Sequence, residues 1–294
     1  MGAIVGAAIV SHHPGLFQTD EFRLQAGAGR DSDLIAGYER VRARIEAVQP
    51  DLLVIFDSHW FTTGYHLVDG GAHYAGEYVS DEMPWYLHGR RYDYTGAPDV
   101  AALCQEVADE RAVLAKNIVD PGLPRQYATL NIVEKLRGDE DVLTVGNCQT
   151  CKTHHFLEMG EVVGEAIRRS GRRAVLLASG ALSHKFNDLD WVQKSPRIFD
   201  PENVSDPRNV ASDHEVIELF KAGRHDAILD RFAEYRAIPW EGLGGHYLQM
   251  IAALGGRDCQ ARGVQLSEYE NARGTGNVHI WFEVNNERSE RSAA

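Results

Sequence analysis

Three apolar runs punctuate the chain, and each ends in histidine. Ala3 to Val10 is followed by Ser11-His12-His13-Pro14, Leu52 to Phe56 by Asp57-Ser58-His59, and Arg173 to Ala178 by Ser179-Gly180-Ala181-Leu182-Ser183-His184. Short continuous runs rich in Val, Ile and Leu predict strands buried on both faces, as in a parallel sheet covered by helices. Between the first two, Leu34, Tyr38, Val41, Ile45 and Val48 recur at helical spacing, with Asp31-Ser32-Asp33 to cap the start and Pro50 to end it. A strand–helix–strand unit of this kind argues for parallel strands. If strands one and two pair, His12 and His59 fall at neighbouring carboxyl ends, where open α/β sheets bind ligands.

The same pattern predicts helices over 99–111, 127–136, 156–169, 215–221, 226–235 and 243–254. It predicts strands over 112–118, 142–145, 262–267 and 278–284. Residues 11–30 read as a Gly-containing loop. Residues 61–97, rich in Tyr, Gly and His, read as short strands in a long loop, and 186–212 as a polar loop or lid. The fold expected is a single α/β domain over 1–284. A central, largely parallel or mixed sheet is flanked by helices, with a metal site at the carboxyl ends of its strands. The charged tail 285–294 is expected to be disordered.

Composition narrows the function. The 294 residues are 44% hydrophobic and 25% charged, an ordinary soluble balance. With 30 basic against 43 acidic residues the net charge is −13, which argues against broad binding to nucleic acid or anionic membranes. No apolar run is long enough to span a bilayer, and no basic leader precedes the first strand. Four cysteines do not make a disulfide scaffold, so a reduced, cytoplasmic compartment is the expectation. The 13 histidines are the unusual count, and they favour metal or acid–base chemistry.

Two imidazoles brought together suit a divalent metal. Side chains alternate along a strand, so His13 points to the opposite side from His12 and only one of the pair can comfortably be a ligand. A third ligand is expected to be a carboxylate, because two histidines and one carboxylate leave positions open for substrate and dioxygen, the pattern of non-haem Fe(II) oxygenases. Glu241, between Trp240 and a Gly-rich helix start, and Asp57, two residues before His59, both qualify. His184 is the candidate acid–base group. Cys148-x-x-Cys151-x-x-His154 has half of a zinc motif, so the cysteines read as small buried residues and His154 as a pocket residue touching substrate. Gly274-Thr275-Gly276 lacks a phosphate-loop context and reads as the turn into the final strand.

These segments resemble a known family, the class III extradiol ring-cleaving dioxygenases, which include the catalytic subunit of protocatechuate 4,5-dioxygenase. The resemblance rests on Ser-His-His-Pro (11–14), Phe-Asp-Ser-His-Trp (56–60), Leu-Ala-Ser-Gly-Ala-Leu-Ser-His (177–184), Trp-Glu-Gly (240–242) and Gly-Thr-Gly-Asn (274–277). Ser80-Asp81-Glu82-Met83-Pro84, Tyr92-Asp93-Tyr94-Thr95-Gly96 and Cys151-Lys152-Thr153-His154 resemble the branch cleaving homoprotocatechuate (3,4-dihydroxyphenylacetate). The 2-aminophenol-cleaving members are similar too. The resemblance implies Fe(II) on His12, His59 and Glu241, with His184 as acid–base. It implies Tyr127 where many members carry a histidine, a catechol or aminophenol plus O2 as substrates, and a homo-oligomer or a partner subunit. Arg125, Lys152, Lys185, Arg90 and Arg91 are candidates to receive a ring carboxylate. The rivals are a zinc hydrolase on the same residues and a non-enzymatic interaction protein.

Overall fold

A computed structural model describes residues 1–233 and 238–284. The expected tail, 285–294, and the end of the helix expected over 226–235 lie outside the described residues.

The alternating burial of the strands explains how they sit in a sheet. In β1 (Ala3–Val10), Ala7 and Ile9 enter one apolar cluster while Val5, Ala8 and Val10 enter another. In β2 (Leu52–Thr62), Leu52, Val54 and Phe56 face the first cluster, Leu53 and Ile55 the second. Each strand therefore buries both faces, at about 1.5–3 kcal/mol for every large side chain removed from water. α2 (Asp33–Val48) covers the second face, after a short α1 (Asp20–Ala26) that the sequence leaves as loop. Thr19 caps α1 by accepting from the Phe22 amide, a local signal among glycines that periodicity misses.

The chain continues through β3 (His66–Asp69), β4 (His73–Val79), β5 (His88–Thr95) and α3 (Pro98–Glu110). Then come β6 (Ala115–Ile118), α4 (Tyr127–Leu136), β7 (Asp141–Cys148), α5 (Thr153–Ser170) and β8 (Arg173–Ser179). β4 and β5 form a separate hairpin. α6 (Pro207–Ala222) starts inside the expected lid, because Asp206 caps it and Pro207 suits a first helical turn. α7 (His225–Arg231), α8 (Gly245–Ala253), β9 (Arg262–Gln265), β10 (Glu270–Ala272), β11 (Thr275–Asn277) and β12 (Ile280–Glu283) complete the described chain. The Gly274 turn, at φ 96°, joins β10 to β11.

The result is a single α/β domain with a mixed eight-stranded sheet, in the order β6-β3-β7-β2-β8-β1-β12-β9. β7, β2, β8 and β1 run parallel, while β12 pairs antiparallel with β1 on one side and β9 on the other. β1 and β2 do not pair. β8 lies between them, registering Ser179 against both Val10 and Asp57. The three histidine-tipped runs are thus three consecutive central strands, with the third in sequence in the middle.

Candidate metal centre

The carboxyl edge of β1, β8 and β2 carries the histidines, and a loop from the far end of the chain brings the carboxylate. His12 Nε2 lies 2.9 Å from Glu241 Oε1, and His59 Nε2 lies 3.0 Å from the same oxygen. Ligand atoms about 2.1 Å from a shared ion stand about 3 Å apart, so these separations are compatible with holding one. Among the described residues, His12, His59 and Glu241 are the group whose ligand atoms could hold a metal ion, all within 4.8 Å of one another. His12 and Glu241 are buried and His59 nearly so.

Local chemistry aims each of them. β2 does not stop at residue 57. It bulges between Phe56 and Phe61, and Asp57 Oδ1 accepts from the amides of His59 (2.7 Å) and Trp60 (2.8 Å). Asp57 gives its other oxygen to the Thr129 hydroxyl at 2.6 Å. Asp57 is therefore the device that turns His59 outward, and its oxygens are committed. Glu241 is followed by three left-handed residues, Gly242, Leu243 and Gly244, at φ 54°, 59° and 73°. Glycine adopts this freely, whereas Leu243 bears about 1–2 kcal/mol. Asn147 Nδ2 donates to the Gly242 carbonyl at 2.9 Å and holds the turn.

The remaining ligand atoms are tied down. His12 Nδ1 meets the Ser179 hydroxyl at 2.9 Å, and that hydroxyl lies 2.8 Å from the Ala128 carbonyl. His59 Nδ1 meets Glu82 Oε1 at 3.0 Å. Glu241 Oε2 accepts the Ala181 amide at 2.5 Å, and its Oε1 also accepts from Ser58 at 2.9 Å. Such partners fix ring orientation and raise ligand basicity. Ser58, Ser179 and Glu82 all sit inside sequence segments noted above, but only the fold assigns them these contacts.

Burial works against a charged Glu241, yet His12, His184 and His59 outweigh it and hold its carboxyl well below the ordinary range. Burial would likewise lower His59, but its hydrogen bonds to Glu241 and Glu82 hold it up at about 10. A carboxylate kept ionised in a buried site, with a proton standing between it and an imidazole, is the electrostatic setting a cation would exploit. His184 Nε2 lies 4.0 Å from Glu241 Oε1, and burial lowers its pKa. Its backbone is pinned, since His184 N donates to the Pro239 carbonyl at 2.7 Å. Beside it, buried Asp213 accepts from the Ser183 amide (3.0 Å), the Ser183 hydroxyl (2.6 Å) and Tyr269 (2.5 Å). Burial pushes the Asp213 carboxyl up to about 6. The Tyr127 hydroxyl is 2.7 Å from His59 Nε2, and burial raises its pKa well above the ordinary phenol value.

The structure thus brings together His12, His59, Glu241, His184 and Tyr127. It does not bring His154 to them. His154 is exposed, its ring lies 3.9 Å from that of His155, and it lines a different cavity with His66, Cys148, Cys151 and Glu158. His13 caps its own turn, accepting from the Gly15 amide at 3.0 Å. Arg125 is ion-paired with Asp69 and lies over the Tyr74 ring, so it faces away from the cluster. Buried His246, beneath Gly180, went unremarked in the sequence because it has no strand end to flag it.

An α/β sheet carrying two histidines, a carboxylate and a third histidine at one edge has an arrangement that could hold a metal ion. The chain belongs to the family described as the catalytic LigB subunit of aromatic ring-opening dioxygenase, which it matches over residues 6–283. It is an extradiol-type aromatic ring-cleavage enzyme. Among its relatives, a 3,4-dihydroxyphenylacetate 2,3-dioxygenase from Escherichia coli is 24% identical over 261 residues, covering 88% of this chain and 92% of the relative. A 2-aminophenol 1,6-dioxygenase beta subunit from a Pseudomonas species is 28% identical, covering 95% and 93%. An uncharacterized protein of Escherichia coli K12 of known crystal structure shares the fold, with a TM-score of 0.59, 15% identity and coverage of 94% and 99%.

Proposed function

We propose that this enzyme opens a catecholic ring beside its hydroxyl pair, inserting both atoms of O2, with one Fe(II) held by His12, His59 and Glu241. The observation that carries the proposal is the meeting of two imidazole nitrogens on one carboxylate oxygen, at 2.9 and 3.0 Å, with His184 Nε2 4.0 Å from that oxygen. Iron supplies a Lewis acid that acidifies the ring hydroxyls and an electron path between ring and O2. The other roles fall to the chain. Glu82 and Ser179 keep the His59 and His12 rings aimed. His184, neutral, takes a proton from a substrate hydroxyl at Nε2 and returns it as the ring opens. Tyr127 stays protonated and offers a hydrogen bond next to His59. Phe61 and Phe186, against the His59 and His184 rings and partly exposed, give the aromatic substrate an apolar rim.

The substrate we propose is 3,4-dihydroxyphenylacetate or a related substituted catechol. A second reading, 2-aminophenol, is favoured by the commitment of Arg125 to Asp69, which turns one candidate cation away from a ring carboxylate. We extend the proposal to assembly as a homo-oligomer or with a partner subunit, supported by the relative that is a beta subunit. Among the described residues no helix is long and apolar enough to cross a membrane.

The test is oxygen uptake by protein loaded anaerobically with Fe(II), given 3,4-dihydroxyphenylacetate, 4-methylcatechol and 2-aminophenol. Stoichiometric uptake with a yellow ring-opened product carrying both atoms of labelled O2 is expected. A carboxylate contact makes the acid better than 4-methylcatechol by roughly tenfold or more. No uptake with any ring, or activity with Zn(II) alone, overturns the iron assignment.

A further inference from the structure

The half-motif Cys148-x-x-Cys151 is not absorbed by the metal centre. It occupies the junction between β7 and α5, in a β7–α5–β8 unit, and the Cys151 amide closes the turn onto the Cys148 carbonyl at 3.1 Å. Two cysteines spaced this way at a strand-to-helix junction match the placement of dithiol redox motifs. The surroundings point the same way. The two thiols influence one another's ionisation. The Thr150 hydroxyl lies 3.3 Å from Cys148 Sγ, and His66 Nε2 lies 3.3 Å from Cys151 Sγ. Both cysteines line the cavity that Tyr65, His66, His154 and Glu158 also line. The other two cysteines, Cys104 and Cys259, are buried in the apolar core.

The pair is electrostatically divided. Burial disfavours a Cys148 thiolate, but hydrogen bonds from Thr150, Cys151 and Thr62 outweigh it and hold this thiol below its ordinary value. Burial and the neighbouring Cys148 push Cys151 up to about 12. The surroundings thus favour the Cys148 thiolate over that of Cys151, which lies against His66, an imidazole that burial lowers to about 4.

We propose that Cys148 and Cys151 are a peroxide-sensitive dithiol that closes to an intramolecular disulfide. The oxidant is a hydroperoxide, small enough to enter the cavity. The Cys148 thiolate attacks one peroxide oxygen, the O–O bond breaks, and hydroxide leaves, giving a sulfenic acid on Cys148. The Cys151 sulfur then attacks the Cys148 sulfur, the S–O bond breaks, and the Cys151 proton leaves with the sulfenic oxygen as water. Two thiols are oxidised by two electrons, and one hydrogen peroxide is reduced to two waters. A thiol reductant reverses the change by exchange through a mixed disulfide. The reaction uses no metal ligand and stands independently of the substrate proposed above.

The experiment reduces the full-length protein, treats it with stoichiometric hydrogen peroxide, and quenches it with N-ethylmaleimide in denaturant for peptide mapping. Two of the four thiols should be lost, in one peptide linking Cys148 to Cys151, and dithiothreitol should restore them. In Cys151→Ser, a dimedone adduct should accumulate on Cys148. In Cys148→Ser, oxidation of Cys151 should be slower by ~tenfold or more, because the acidified thiol is gone. The proposal is overturned if all four thiols of the wild-type protein remain alkylatable. It is also overturned if the disulfide involves Cys104, Cys259 or a second chain, or if Cys148→Ser oxidises at the wild-type rate. The wild-type map decides the matter even if a serine variant fails to fold.

Discussion

Two histidine-rich clusters stand at the same edge of the sheet, at the ends of neighbouring strands β2 and β7, yet they differ in kind. At the first, each converging side chain is also held by a hydrogen bond on its far side. His12 is bound through Nδ1 to Ser179, His59 through Nδ1 to Glu82, and Glu241 through its second oxygen to the Ala181 amide. At the second, His154 is exposed, His155 serves as a helix cap accepting the Lys152 amide, and His66 leans on a thiol. Motif spacing favours neither cluster strongly. What separates them is the ring of hydrogen bonds behind the donors, because only donors whose other atoms are fixed converge on a point without a large entropic cost.

The sharpest way to break this comparison is to remove a converging donor. His59→Ala should lose bound iron after anaerobic loading and reduce ring cleavage to background, whereas His184→Phe should keep the iron while turnover falls by roughly 10²–10⁴. Iron measured by metal analysis at wild-type level in the first variant, or missing from the second, reverses the roles given to these residues.

The support can be weakened while the donor stays. Glu82→Gln keeps the size of the side chain but removes its charge from His59 Nδ1, so affinity for Fe(II) should drop about 10–100-fold with the fold intact. Competition against a chelator measures this. Unchanged affinity means that Glu82, which is partly exposed, does not orient the ring.

Asp213 supplies a pH signature for the ordered side. Its carboxyl rises from 3.8 to about 6 in the fold, so the folded state takes up its proton before the unfolded one does. The cost of the buried charge is absent below about pH 4, grows as pH rises, and is fully present above about pH 6. Denaturant titrations should find this share of the stability loss between pH 4 and 6 in the wild-type protein and not in Asp213→Asn. A variant with the same slope would show that the carboxyl titrates ordinarily.

The smallest effect is expected across the comparison. His154→Ala, altering an exposed ring in the other cavity, should leave kcat and KM within about twofold. A tenfold rise in KM would restore the sequence-based reading of His154 as a substrate contact.

The strands were legible because burial on both faces leaves uninterrupted apolar runs, and the central helices because their spacing is regular. The positions of His12, His59 and His184 at strand ends followed from the same runs. The neighbour relations did not follow. Nothing in residues 3–10 or 52–57 says that β8 comes between them, since all three strands are equally apolar. The choice between Asp57 and Glu241 was also closed to periodicity. It turns on the bulge in which Asp57 binds the amides of His59 and Trp60, and on the left-handed turn after Glu241. The short sequence distance of His154 from the two cysteines does reflect a shared cavity, but that cavity is separate from the cluster of His12, His59 and Glu241.

The order β2-β8-β1 has a consequence for the chain while it is being made. Synthesis exposes His12 and His59 early, but the strand that must lie between their own strands comes only with residues 173–179, and Glu241 later still. A half-made chain could pair its two early strands directly and clasp a stray ion between two imidazoles, without the carboxylate. The wedge of β8 rules out that shortcut in the finished sheet. Glu241 can meet the two imidazoles in this arrangement only after β8 has been made and has taken its place between their strands.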